Sequence, residues 1–280
     1  MGRITCLPIF VSLVLATALS GHAQTPPKPK PTPPRSLERD FFKNILRDQK
    51  AIWTAPLHVE RSDAKWMIPS GIGLMALIAT DRTTGDEMFE SRGQIGASRG
   101  ISYAGSVYGL GAVAGGFYLF GRKKNDYRAR ETGLLSAEAL IDSVIVGSAL
   151  KGITQRGRPL TGHERSEFFE GGNSFPSGHS TQAWAVATVI AREYKHRRAV
   201  QVAAYGVATA VSVARFTGQK HYLSDVVAGS ALGFAIGRYV YSAHHRDELD
   251  PAISKSVWPQ ITPEFNRAAR RYGFALTWNF

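Results

Sequence analysis

The feature that most constrains the fold is a series of apolar segments, each of helix length. The charge-free run 100–121 is the longest, and a second charge-free segment, Trp66 to Thr80, ends at Asp81-Arg82. Four more segments follow at 134–151, 177–194, 199–214 and 222–241. Helices of this kind bury their apolar faces against one another, so the pattern predicts an all-α helical bundle.

Two sequence details add to the predicted bundle. From residue 37 onward, Phe41, Phe42, Ile45 and Leu46 recur at helical spacing between charges, which predicts a first helix with one buried face. Glycines also recur four residues apart, and such a stripe lets a second backbone approach closely. We expect such close-contact surfaces at Gly105/Gly109, at Gly111/Gly115 and along Gly229, Gly233 and Gly237.

The first 36 residues differ in composition from the rest. Residues 1–23 have a basic start, an apolar run and small residues at Gly21-His22-Ala23, which is typical of a secretory signal peptide, with an uncleaved membrane anchor as the alternative. Residues 24–36 are proline-rich and indicate an extended linker or a ligand for a proline-recognition domain. We therefore predict a helical domain at 37–245 and a C-terminal extension at 246–280.

The charge and the cysteine content limit the partners and the kinds of site that this chain can have. The net charge of +12 favours anionic partners such as phosphate esters, anionic lipid surfaces or nucleic acid, and charge alone does not choose among them. The one cysteine, Cys6, lies in the predicted leader, so the mature chain has neither a disulfide nor a thiolate metal site. By length only the run 100–121 clearly qualifies as a membrane span. Both a soluble or peripheral bundle and an integral one are therefore left open.

At the end of the chain the hydrophobic pattern changes to a period of two residues. Tyr272, Phe274, Leu276, Trp278 and Phe280 alternate with smaller or polar residues, a strand pattern with one aromatic face. We interpret it as a short extended segment that covers the bundle or pairs with a neighbour near 257–261. A closing strand of an outer-membrane barrel is the alternative, although one strand makes no barrel.

Three short clusters carry the chemistry. In the first, Lys151 and Arg158 stand at the end of an apolar helix, before Pro159 stops its continuation. Arginine can bind two phosphate oxygens at once with its planar fork. Cations at a helix end also complement the helix dipole, and Arg156 shows that basic residues are common here.

The second cluster is Ser177-Gly178-His179. Ser177 is a natural helix N-cap and Gly178 lets a ligand approach the backbone, so the first amides of the helix would face an anion. His179 would then lie at the same mouth, where it could protonate a leaving oxygen. A plain capped helix start is the alternative interpretation.

The third cluster is Arg215, His221 and Asp225. His221 and Asp225 are four residues apart, which on a helix places them on one face, and the carboxylate could then fix the histidine tautomer. The other ring nitrogen would be available for attack on phosphorus. Arg215 precedes a glycine-containing turn and could reach the same anion. A surface His–Asp pair of little energetic value is the alternative.

In order and spacing these clusters resemble the three-part signature of the type-2 phosphatidic acid phosphatase superfamily, which includes bacterial acid phosphatases and vanadium haloperoxidases. The resemblance covers about residues 64–241 and implies the helical bundle of that superfamily. Ala214 stands where the family usually has serine, which removes one hydroxyl.

The resemblance also implies a role for each site residue. His221 would be the nucleophile that forms a phosphohistidine, Asp225 would orient it, and His179 would be the general acid. The phosphoryl oxygens would be held by five groups: Lys151, Arg158, Arg215, Ser177 and the amide of Gly178. No metal or cofactor is implied, and we interpret His244 and His245 as solvated residues at a helix end.

We therefore expect an exported, periplasmic phosphatase, soluble or membrane-associated, that acts on phosphate monoesters or pyrophosphates of small molecules or lipids. We expect no nucleic-acid partner, and the sequence does not indicate an oligomeric state. The alternatives are a vanadate-dependent haloperoxidase and a non-catalytic protein that binds anionic surfaces.

Overall fold

The structure is a computed structural model that describes residues 38–86, 92–159, 166–245, 260–266 and 271–277. The predicted leader (1–23) and proline-rich linker (24–36) lie outside these ranges. The described residues contain eight α-helices: α1 Phe41–Thr54, α2 Arg61–Asp86, α3 Arg92–Ala104, α4 Val107–Lys124, α5 Tyr127–Thr154, α6 Gly178–Glu193, α7 Arg198–Thr217 and α8 Leu223–His244. A 3₁₀ turn, Ala55–His58, follows α1. The predicted all-α bundle is confirmed.

The bundle is organised around α6, which packs against α5, α7 and α8. On one side Val186 and Ile190 join Val211 of α7 in an apolar cluster. On the other side Val189 joins Val240 of α8 and residues of α5 in a second cluster. Because both sides of α6 are covered, its first turn is held firmly at one end of the core.

The glycine stripe of α8 packs closely against the backbone of α6. A side chain added at Gly229 would meet the carbonyl oxygen of Ser177 at 2.6 Å, and Gly233 and Gly237 face the α6 backbone in the same way. The prediction for this stripe is confirmed. At Gly111 and Gly115 nothing lies within 4 Å, so the prediction was wrong for that pair.

The apolar run 100–121 is not one helix. It is divided between α3 and α4, because Ser106 accepts a hydrogen bond from the amide of Gly109 and so caps a new helix. Our choice of this run as the candidate span was therefore wrong. Two other helices in the described ranges, Tyr127–Thr154 and Arg198–Thr217, are long and apolar enough to cross a membrane, by length and composition only.

The buried face of α1 also differs from the prediction. Phe42 and Leu46 are 77% and 74% exposed, whereas Ile45 and Asp48 are buried. Polar side chains on this face reach into the bundle: Asn44 and Gln49 donate hydrogen bonds to carboxylates of α5. The contact of α1 with the bundle therefore includes buried polar bonds, which the apolar spacing did not reveal.

The tail forms a two-stranded antiparallel sheet. Strand β1, Gln260–Asn266, pairs with β2, Arg271–Thr277, in a register that sets Ile261 opposite Leu276. This confirms the extended segment and its pairing with a neighbouring stretch, although that neighbour extends further than 257–261.

Candidate active site

The three sequence clusters meet at one end of the bundle. Lys151 lies in the last turn of α5 and Arg215 in the last turn of α7, while Ser177 immediately precedes the first residue of α6. The amide of Ser177 donates a 3.0 Å hydrogen bond to the main-chain oxygen of Asp225, which fixes the start of α6 against that of α8. Helix ends from separate parts of the chain thus form a single site.

His221 lies in the loop before α8 and is buried. Its Nδ1–H group donates a 2.8 Å hydrogen bond to the main-chain oxygen of Ser174, while the nearest oxygen of Asp225 is 3.7 Å away. The sequence placed His221 and Asp225 on one helix face, which is wrong because α8 begins at Leu223. A carbonyl can only accept, so this contact leaves Nε2 with its lone pair free.

Asp225 is fully buried and held by several donors. One carboxylate oxygen accepts from the hydroxyl of Ser174 at 2.6 Å and from the amide of Tyr222 at 2.9 Å. The other oxygen accepts from Arg156 at 2.6 Å. Such a carboxylate stays ionised and immobile next to the imidazole.

Arg156 is the residue of this site that sequence reasoning missed. Its guanidinium has no solvent exposure and binds Asp81 at 2.7 Å as well as Asp225. It lies over the rings of Phe168 and Tyr222, 4.8 and 4.7 Å from their centres. Nothing in the sequence separates Arg156 from its basic neighbours, because Asp81 is 75 positions away.

The cations line the open side of the site. Lys151 donates to the main-chain oxygen of Asn173 at 2.6 Å, and Arg158 donates to the side-chain oxygen of the same residue at 2.8 Å. The Nε atom of Arg215 is buried and has no hydrogen-bond partner among the described residues. A buried guanidinium nitrogen without a partner is typical of an arginine side chain that binds an anionic ligand.

Ser177 and Gly178 lie at the N-terminus of α6. Ser177 is the N-cap by position, but its hydroxyl accepts from Ser180 at 3.0 Å rather than capping the helix. A Cβ at Gly178 would lie 3.6 Å from the side chain of Lys151, on the side of the cations. The absent side chain therefore leaves room beside Lys151, where an anion would approach the helix amides.

Comparison with known proteins shows which family the helical core is similar to. The model of the PAP2 superfamily matches residues 132–248, which include all three clusters. The match covers less than half of the chain.

Two further similarities concern one protein sequence and one solved structure. A 70-residue stretch is 40% identical to the Lipid A 1-phosphatase of Porphyromonas gingivalis, and it covers 25% of this chain but only 16% of that protein. The first transmembrane PAP2 type phosphatidylglycerolphosphate phosphatase from Bacillus subtilis superposes with a TM-score of 0.48 at 21% identity, covering 76% of this chain and 97% of that one.

The two histidines of the site, His179 and His221, both have a pKa below the usual value of a histidine. Burial, together with the charges of Arg215 and other nearby cations, lowers the pKa of His179 to about 4. Burial also lowers the pKa of His221 to about 4, although Asp225 acts in the opposite direction. The charges of Lys151 and Arg215 lower the pKa of both histidines, and His221 also lowers that of His179, so these groups lie close together.

Two histidines outside the PAP2 pocket are less exposed than the sequence suggested. The side chains of His244 and His245 are 7% and 9% exposed, and each faces buried carboxylates. Their interpretation as solvated residues was wrong, because α1, α5 and α6 cover this end of α8 with acidic side chains.

Proposed function

We propose that this PAP2 protein is an exported phosphatase that hydrolyses phosphate monoesters or pyrophosphates of lipids through a phosphohistidine intermediate. One observation carries the proposal. A buried imidazole, His221, has one nitrogen fixed by a main-chain carbonyl, and it lies among cations that include a buried guanidinium nitrogen without a partner.

The first chemical step follows from these positions. Nε2 of His221 attacks the phosphorus atom in line with the departing oxygen. The bond between phosphorus and that oxygen breaks, and the leaving oxygen takes a proton from the imidazolium of His179. Lys151, Arg158 and Arg215 stabilise the charge on the remaining phosphoryl oxygens.

The second step returns the protein to its starting state. Neutral His179 accepts a proton from water, and the resulting nucleophile attacks the phosphohistidine. The bond between Nε2 and phosphorus breaks, and inorganic phosphate leaves. Asp225 supplies a fixed negative charge beside the ring while it carries the phosphoryl group. Arg156 acts as a positioning residue, because it reaches the reacting ring only through Asp225.

A lipid substrate is favoured by the surface of the helices. Trp66, Ile72 and Met75 of α2 are 73%, 66% and 67% exposed, and α7 exposes Val202 at 73%. Apolar surface of this extent is typical of contact with a lipid layer. The similarity to a protein named for its action on lipid A supports the same class. We propose a membrane-associated protein on the periplasmic side, with 1–23 as export signal and 24–36 as spacer.

Phosphate release tests the activity. Purified protein would be assayed with p-nitrophenyl phosphate, phosphatidic acid in detergent micelles and a polyprenyl pyrophosphate. We expect release from at least one lipid, and a loss of at least about a thousandfold in His221→Ala. Release unaffected by that substitution would refute the assignment, and halide oxidation only with vanadate would favour a haloperoxidase.

The covalent intermediate is tested separately. Brief exposure to a ³²P-labelled substrate followed by denaturation in base should leave label on the protein, which acid then removes, as expected of a phosphoramidate. The His221→Ala variant should carry no label. Label that survives acid would identify a different nucleophile.

A further inference from the structure

A second cluster of ionisable side chains lies between α1, α5 and α8. It contains Asp48 of α1, Glu138 and Asp142 of α5, and His244 of α8. The three carboxylate residues are 0%, 2% and 0% exposed. Lys151 follows Glu138 by thirteen residues on the same helix, which at 1.5 Å per residue is about 20 Å. The cluster is therefore separate from the phosphate pocket.

The carboxylates of α5 are each held by one oxygen only. Asn44 donates to Oε1 of Glu138 at 3.1 Å, and Gln49 donates to Oδ1 of Asp142 at 2.8 Å. The second oxygens, Oε2 of Glu138 and Oδ2 of Asp142, are buried and have no hydrogen-bond partner among the described residues. Buried polar atoms are almost always satisfied, so these two oxygens indicate a missing partner.

The charges of the cluster do not balance. His244 contacts both oxygens of Asp48, at 2.8 and 2.9 Å, and can neutralise one carboxylate. A second cation that acts on this cluster is Arg47, whose side chain is exposed to solvent. Three carboxylates that share a buried space with one imidazole require a further positive charge or retained protons.

We propose that Asp48, Glu138 and His244 bind a divalent transition-metal ion such as Zn²⁺ or Mn²⁺. One donor atom from each residue lies within 4.8 Å of the others. Donors about 2.0–2.2 Å from a shared ion are at most about 4.4 Å apart, so a small contraction completes the site. One imidazole with carboxylates suits these ions, and Asp142 or water supplies the remaining ligand.

Asn44 and Gln49 would then serve as the outer partners of this site. Ligating carboxylates are commonly held by hydrogen bonds to their second oxygen, which is the arrangement that these two amides provide. Because Asp48 belongs to α1 and the other ligands to α5 and α8, the ion would fasten the first helix to the bundle. Its role is structural, and it differs from the phosphatase chemistry.

The neighbouring set of His245, Glu131 and Glu193 provides a matched control. Its donor atoms also lie within 4.8 Å of one another. It has two carboxylates, and two positive groups, His245 and Arg128, act on Glu193. Positive groups therefore match the acidic ones there. His244 therefore belongs to the proposed ion site, whereas the adjacent His245 belongs to an ion-pair cluster whose charges balance.

The test measures metal content and thermal unfolding. Tag-free full chain would be stripped with EDTA, loaded with Zn²⁺ or Mn²⁺, desalted and analysed by mass spectrometry for metal. We expect about one ion per chain and a Tm that rises by about 5 °C or more over the stripped protein. The isosteric variants Glu138→Gln and Asp48→Asn should hold less than about a tenth of an ion, with a Tm that chelator does not change.

His245→Gln and His221→Ala should keep the ion, which separates the site from the neighbouring cluster and from the phosphate pocket. If either isosteric variant fails to fold, the stripped and loaded forms of the natural chain still decide the question. Absence of bound Zn²⁺ and Mn²⁺ from the natural chain would overturn the proposal. Full metal content in folded Glu138→Gln would overturn it as well.

Discussion

The Nδ1–H group of His221 donates its hydrogen bond to the main-chain oxygen of Ser174, at 2.8 Å, and not to the carboxylate of Asp225, which is 3.7 Å away. The tautomer of the proposed nucleophile is therefore set by backbone. Asp225 contributes charge instead, and it is aligned by the hydroxyl of the same Ser174. These separate contributions can be distinguished by substitution.

We expect Ser174→Ala to lower kcat by about tenfold or less, because the main-chain carbonyl that fixes His221 is kept and only one hydrogen bond to Asp225 is lost. Asp225→Asn should lower kcat by about a hundredfold or more, because it removes the charge beside the phosphorylated ring. Steady-state kcat with p-nitrophenyl phosphate measures both. Equal losses in the two variants would show that alignment by the hydroxyl, rather than charge, is the contribution of Asp225.

The low pKa values of His179 and His221 predict that phosphatase activity is highest at acid pH. The proposed mechanism needs neutral His221 and protonated His179, and the pKa of each is about 4 in the free protein. Below pH 4 His221 becomes protonated, and above pH 4 His179 loses its proton. For an alkyl phosphate, kcat/KM should therefore peak near pH 4 and decline on both sides. A maximum above pH 7 would contradict this assignment.

The pH profile of kcat should differ from that of kcat/KM. A bound phosphate places negative charge next to His179, which stabilises the imidazolium, so the alkaline limb of kcat should move to higher pH. His179→Gln should lower kcat far more for an alkyl phosphate than for p-nitrophenyl phosphate, whose leaving group needs little protonation. A similar loss for both substrates would show that His179 is not the general acid.

Helix packing could be predicted from the sequence where a single residue type determines it. The stripe Gly229, Gly233 and Gly237 needs only the absence of side chains to predict close packing, and α8 does pack there on α6. The run 100–121 misled because hydropathy takes no account of Ser106, whose hydroxyl starts a new helix. Local chemistry at one position therefore outweighed the average over the segment.

The buried polar contacts could not be predicted in this way. Arg156 is bound by Asp81 and Asp225, which are 75 and 69 positions away, and its sequence neighbours are equally basic. His244 and His245 follow each other at the end of α8, yet each faces a different set of carboxylates. Which distant charges meet depends on how the helices pack, and residue spacing along the chain contains no such information.

The difference between Arg156 and Arg158 gives a prediction about stability. Arg156→Lys should lower the free energy of unfolding by about 3–5 kcal/mol, because an ammonium group cannot bind both Asp81 and Asp225 and leaves buried charge unpaired. Arg158→Lys, at a half-buried position of the pocket, should raise KM and leave the free energy of unfolding within about 0.5 kcal/mol. Denaturant unfolding and steady-state kinetics of both variants provide the measurement. Equal stability of the two variants would refute the structural role of Arg156.

The packing of α8 on α6 should control activity as well as stability. A methyl group at Gly229 would meet the carbonyl oxygen of Ser177 at 2.6 Å, and the amide of Ser177 is bound to Asp225. Gly229→Ala should therefore lower the free energy of unfolding by about 1–3 kcal/mol and also reduce kcat, because it moves the start of α6 away from the pocket. Gly206→Ala in α7, where nothing lies within 4 Å, is the matched control and should be neutral or stabilising by up to about 1 kcal/mol. If Gly229→Ala lost stability with unchanged kcat, the helix contact would support the fold without positioning the site.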